Sequence, residues 1–67
     1  MIKCHLSRIM GERRVKIAEL ARLTGIHRNT LTLLYYEKTQ RMELDALDKL
    51  CEFFECSVGD ILEYSKE

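Results

Sequence analysis

Sixty-seven residues with no proline, three glycines and 46% hydrophobic side chains describe one small, helix-rich domain and exclude a disordered segment. Eleven basic and eleven acidic residues cancel to a formal net charge of zero, and the apolar runs are too short to cross a bilayer. Three cysteines, an odd number, and an N-terminal MIKCHLSRIM with charges inside its apolar segment are expected of a chain without a signal peptide, in a reducing cytoplasm.

The charge is unevenly spread. Residues 1–41 hold nine Lys/Arg and three Asp/Glu, a net of +6, whereas residues 42–67 hold two and eight, a net of −6. One domain therefore carries a basic face and an acidic end.

Apolar periodicity divides the chain into five helices. Ile2, Leu6, Ile9 and Met10 form the stripe of the first, which Gly11 is expected to stop, and Glu12-Arg13-Arg14 follows as a connector. The second runs from Ile17 to about Leu23 and buries Leu20 and Ala21. The third runs from about Arg28 to Tyr36 and buries Leu31 and Leu34, and residues 37–41 form a polar loop. The fourth spans about Glu43 to Phe54, with Leu44, Leu47, Leu50, Cys51 and Phe54 at helical spacing. Its acidic first turn suits the positive end of the helix dipole. Ser57-Val58-Gly59-Asp60 reads as a capping box that opens a short last helix through Ile61, Leu62 and Tyr64. No strand is expected, and the fold class is all-α.

The second and third helices meet at Thr24-Gly25. A single long helix would gain nothing from that glycine, which costs about 1 kcal/mol against alanine in a helix interior. A tight turn between two helices needs a residue at positive φ, which glycine adopts without a Cβ clash. Ala21, four residues earlier, lets the two backbones approach, and Ile26, Leu31 and Leu34 close the wedge.

Leu20-Ala21, Thr24-Gly25-Ile26, Leu31 and Leu34 together resemble a Cro/C1-type helix-turn-helix domain. The stretch LDALDKLCEFFECSVGDILEY is similar to the last two helices of that group. The resemblance covers nearly the whole chain and implies a five-helix, lambda-repressor-like DNA-binding domain over residues 1–67. Three positions depart from the pattern. Ile17 stands where the group often has a phosphate-touching glutamine, His27 where it has a capping serine or threonine, and Glu55 where it has a helix-ending glycine.

The resemblance makes Arg28 to Tyr36 the recognition helix. With Leu31 and Leu34 turned inward, its outer face carries Arg28, Asn29, Thr32, Leu33 and Tyr36. Arginine can pair bidentately with guanine and asparagine with adenine, while threonine or leucine meets a thymine methyl. The N-terminal end of such a helix reaches the base edges, which favours Arg28 and Asn29. His27 reads as a substitute cap or a phosphate donor. Arg14, Lys16, Lys38 and Arg41 flank the helix pair as candidate phosphate contacts.

No metal site and no cofactor are expected. Cys4, Cys51 and Cys56 have no zinc-ligand spacing with the two histidines, and Cys51 and Cys56 read as small core hydrophobes. Nothing in the sequence forms a phosphate loop or a catalytic constellation, so an enzyme is not expected. The expected protein is a transcriptional regulator, a repressor that binds an inverted repeat in double-stranded DNA as a homodimer. Phe53, Ile61, Leu62 and Tyr64 are the candidate dimer contacts, as an apolar cluster that a short last helix cannot bury alone. Two other readings stand beside this one. The acidic surface after residue 42 permits an antitoxin that autoregulates its operon, with a toxin or an antirepressor as partner protein. The zero net charge and Ile17 permit a protein-interaction module that has lost DNA binding.

Overall fold

The computed structural model describes residues 1–66. In chain order the elements are β1 (Ile2–Cys4), α1 (Leu6–Arg13), α2 (Ile17–Thr24), α3 (Arg28–Tyr35), α4 (Leu44–Phe54), α5 (Val58–Ile61) and β2 (Leu62–Tyr64). The domain is mostly helical, with five helices and a small two-stranded sheet. No helix among the described residues is long and apolar enough to cross a membrane.

The sheet corrects the all-α expectation at both ends of the chain. β1 pairs antiparallel with β2 in the register Ile2↔Tyr64, Lys3↔Glu63 and Cys4↔Leu62. The Met1 amine donates to the Ser65 carbonyl at 2.7 Å, and the His5 N–H donates to the Ile61 carbonyl at 2.7 Å. On one face Lys3 opposes Glu63, and His5 Nε2 lies 2.7 Å from Glu63 Oε1. That contact holds the Glu63 carboxyl below the usual carboxylate range. Ile2 and Tyr64, read as helical above, are strand residues. The last helix ends at Ile61, one residue before Leu62.

A single core serves the five helices. Leu6, Ile9 and Met10 of α1, Leu20 of α2, Leu31 and Leu34 of α3, Leu47, Leu50 and Phe54 of α4, and Ile61 of α5 are buried together with Ile26. Each such side chain contributes about 1.5–3 kcal/mol on burial. Ile61 is fully buried, which removes it from the candidate dimer contacts: its surface is already spent inside its own domain.

Backbone turns end the helices in two ways. α2 ends on Gly25 at φ 80°, as its sequence position predicts. The ends of α1, α3 and α4 instead use Arg14, Glu37 and Glu55 at φ 54°, 56° and 52°. Each of those three ends closes through a Schellman pair of hydrogen bonds, for example Lys38 N–H to the Leu33 carbonyl at 2.8 Å. Glu55 therefore adopts the conformation that glycine would take at its position.

Gly11 does not stop α1, which runs on to Arg13. A Cβ at Gly11 would meet nothing within 4 Å. Gly11→Ala is therefore expected to raise stability by about 0.5–1 kcal/mol, because alanine loses less backbone entropy on folding. Urea denaturation checks it, and a lower midpoint for the variant would show that α1 breaks at Gly11 after all.

Candidate nucleic-acid interface

Thr24 and Gly25 build the angle between α2 and α3. The Thr24 hydroxyl donates to the Leu20 carbonyl at 2.7 Å and accepts the Ile26 N–H at 3.2 Å. The Gly25 N–H donates to the Ala21 carbonyl at 2.9 Å. These bonds satisfy the turn's backbone locally, so Ile26 can drop into the core and α3 can start two residues later.

His27 is the N-cap of α3. Its Nδ1 accepts the Asn29 N–H at 3.1 Å. An accepting Nδ1 carries no proton, so the neutral ring holds its proton on Nε2, which is left as a donor on an exposed side chain. The cap thus orients the start of α3.

With Leu31 and Leu34 buried, Arg28, Asn29, Leu33 and Tyr36 are exposed and Thr32 is half-buried. The Thr32 hydroxyl donates to the Arg28 carbonyl at 3.0 Å, which commits its proton to the helix and leaves its methyl for an apolar contact. Tyr36 lies one residue past the end of α3 and packs edge-on against Tyr35, with ring centroids 5.0 Å apart.

Arg14, Lys16 and Arg28 meet around one open cleft of about 510 Å³, with Tyr35 and Tyr36 on its wall and Met10, Val15, Ile17 and Ala18 among its lining. Ile17 supplies apolar surface there and no polar group. Side-chain ion pairs among the described residues join His5 to Glu63 and Lys49 to Asp45. No carboxylate among the described residues forms an ion pair with any of the three exposed cations around the cleft.

Lys38 and Arg41 are not part of this cleft. Lys38 is exposed just beyond α3, and Arg41 borders a separate groove of about 230 Å³ with Ile2, Cys4, Leu34, Met42 and Leu62. The candidate dimer contacts are likewise divided. Phe53 is half-buried beside Leu23 and Thr24, whereas Leu62 lies in the Arg41 groove and Tyr64 is 68% exposed at the end of the sheet.

Two residues gain roles that the sequence reading does not assign. Arg13, read as part of a connector, donates from Nη2 to the Phe54 carbonyl at 2.9 Å and lies 5.8 Å from the Phe54 ring centroid. It clamps the end of α1 to the end of α4. Tyr35 shapes the cationic cleft, and its only local signal is its place beside Tyr36 on the last turn of α3.

Residues 5–67 match the family model described as the Cro/C1-type HTH DNA-binding domain. The chain is 32% identical over 59 residues to YozG, an uncharacterised HTH-type transcriptional regulator of Bacillus subtilis (strain 168), a span of 88% of this chain and 70% of that protein. Its fold is similar to the crystal structure of a Bacteroides fragilis protein inferred to bind DNA. That match has a TM-score of 0.79 at 22% identity and covers 94% of this chain and 100% of the other.

Proposed function

The chain belongs to the Cro/C1-type helix-turn-helix DNA-binding family, a family of transcription regulators, and from that premise we propose that it is a repressor acting as a homodimer on an inverted-repeat operator. α3 enters the major groove by its N-terminal end. Arg28 pairs with a guanine edge and Asn29 with an adenine edge, while the Thr32 methyl, Leu33 and Tyr36 contact neighbouring bases. Arg14 and Lys16 hold the phosphates on one side, and the His27 Nε2–H adds a phosphate contact at the start of α3. Lys38 and Arg41 serve the backbone on the other side. The observation that carries this reading is the convergence of unneutralised Arg14, Lys16 and Arg28 on the cleft beside α3.

Tyr64 and Ile2, 68% and 64% exposed at the end of the sheet, support pairing of two copies there, with Leu62 beneath them. A two-fold dimer places the two α3 helices about 34 Å apart, one turn of DNA. Bound in the cytoplasm to its operator, the dimer blocks polymerase by occupancy.

The test uses a duplex selected from a random pool by the wild-type protein, titrated by fluorescence anisotropy beside an unrelated duplex. Arg28→Ala is expected to lose about 1–3 kcal/mol on the selected site and almost nothing on the unrelated one. Equal losses on both duplexes would make Arg28 a phosphate anchor. Sedimentation of the complex that showed one protein chain per selected duplex would overturn the dimer.

A further inference from the structure

Cys51 and Cys56 lie five positions apart in the sequence, yet the end of α4 brings them together. Glu55 takes a left-handed conformation at φ 52°, the Cys56 N–H donates to the Cys51 carbonyl at 3.0 Å, and the Glu55 N–H reaches the Glu52 carbonyl at 3.4 Å. This is a Schellman turn, in which the side chains at its two closing positions meet. In most proteins that contact is hydrophobic. Here both residues are thiols, and Cys51 is a near enough neighbour to push the Cys56 thiol up. Both are half-buried against the core, so solvent and small reagents reach them. Cys4, the third free cysteine, lies in the separate groove between β1 and the loop after α3.

We propose that Cys51 and Cys56 form a dithiol site that closes to an intrachain disulfide by exchange with a small-molecule disulfide. One cysteine, as thiolate, attacks a sulfur of the reagent R–S–S–R. Its S–S bond breaks, RS⁻ leaves and takes up a proton, and a mixed disulfide remains on the protein. The second cysteine then attacks the protein sulfur of that mixed disulfide and expels the other RS⁻, which is also protonated. The protein loses two electrons and two protons, and the reagent is reduced to two thiols. Closure needs little backbone movement, because the turn already holds the two residues in contact.

The surroundings slow attack by the resting pair. Burial pushes the Cys56 thiol up, as do Cys51 and the Asp60 carboxylate beside it, while Arg13 pulls the other way. Exchange is therefore slow at neutral pH and accelerates as the thiolate fraction rises. The product fixes the left-handed turn at Glu55, next to the Phe54 carbonyl that Arg13 grips.

The folded protein is incubated with oxidised glutathione under mildly alkaline conditions, and free thiols are alkylated and located by mass spectrometry. The expected result is a fall from three alkylatable thiols to one, with Cys4 the survivor and a single peptide link between positions 51 and 56. Cys51→Ser and Cys56→Ser should each stop at a persistent glutathione adduct, while Cys4→Ser closes as the wild type does. In urea, closure should slow severalfold relative to adduct formation, since the turn is lost. A lasting adduct on the wild type, loss of Cys4 on the same timescale, or a bond between two chains would overturn the proposal. An unchanged ratio in urea would also overturn it, by tracing closure to nearness in sequence rather than to the turn.

Discussion

Ile61→Ala is expected to lower the unfolding free energy by about 2–5 kcal/mol. Ile61 is fully buried at the junction of α5 and β2, packed with Leu6, Leu50 and Phe54 in the common core. Its carbonyl also accepts the His5 N–H at 2.7 Å. Truncating the side chain leaves a cavity where the last helix docks, and the neighbouring backbone cannot close it without disturbing the sheet. A domain of this size is stable by roughly 3–10 kcal/mol, so the loss removes a large share of its margin. Asp48→Ala, at an exposed position of α4, is the control and should change stability by about 0.5 kcal/mol or less. Urea denaturation of both measures the contrast. Equal midpoints for Ile61→Ala and the wild type would mean that α5 is not docked on the core.

Gly25→Val should destabilise the domain by about 1–3 kcal/mol. The effect is conformational rather than steric with respect to neighbours, since a Cβ at Gly25 would find nothing within 4 Å. What the substitution cannot tolerate is φ 80°, where a β-branched residue is strongly disfavoured. For a domain this small each 1 kcal/mol moves the melting temperature by about 4–8 °C, so the shift is readily measured. Gly25→Asn should cost less, because asparagine enters the left-handed region more easily. Thermal melting of the two variants orders them. Identical melting of Gly25→Val and the wild type would remove the turn on which the angle of α3 depends.

The helices at the centre of the chain are legible in the sequence because their signals are local. Leu20 and Ala21 set the buried side of α2, Leu31 and Leu34 set that of α3, and Gly25 marks the break between them. Once Leu31 and Leu34 are turned inward, the outer positions Arg28, Asn29, Leu33 and Tyr36 follow from helical geometry alone. The strands are not legible in the same way. Ile2, Leu6 and Ile9 fit a helical stripe, and no glycine, proline or asparagine separates Cys4 from Leu6 to argue otherwise. What decides the matter is the pairing of Ile2 with Tyr64, a contact between opposite ends of the sequence. Ile61 is misplaced for the same reason: continuing the last helix through Tyr64 exposes an apolar cluster, whereas turning into β2 buries Ile61 and separates it from Tyr64. The left-handed residues Arg14, Glu37 and Glu55 carry no glycine signal, so neither the clamp of Arg13 on Phe54 nor the meeting of Cys51 with Cys56 can be read from spacing.

The pairing of β1 with β2 also sets an order of events. During synthesis β1 leaves the ribosome ahead of α1 to α4 and waits, its backbone donors and acceptors hydrated, while those helices emerge and can begin to pack on one another. Its partner strand arrives only after α5. Closing so long a loop costs little more than closing a short one, because the entropy grows only as the logarithm of length. The contact is nevertheless non-local, and contacts of that kind form after local helix pairs have reduced the search. The sheet thus cannot form before Leu62–Tyr64 have been made. The helix pair that presents Arg28 can take shape on the nascent chain before the strand that completes the sheet has been made.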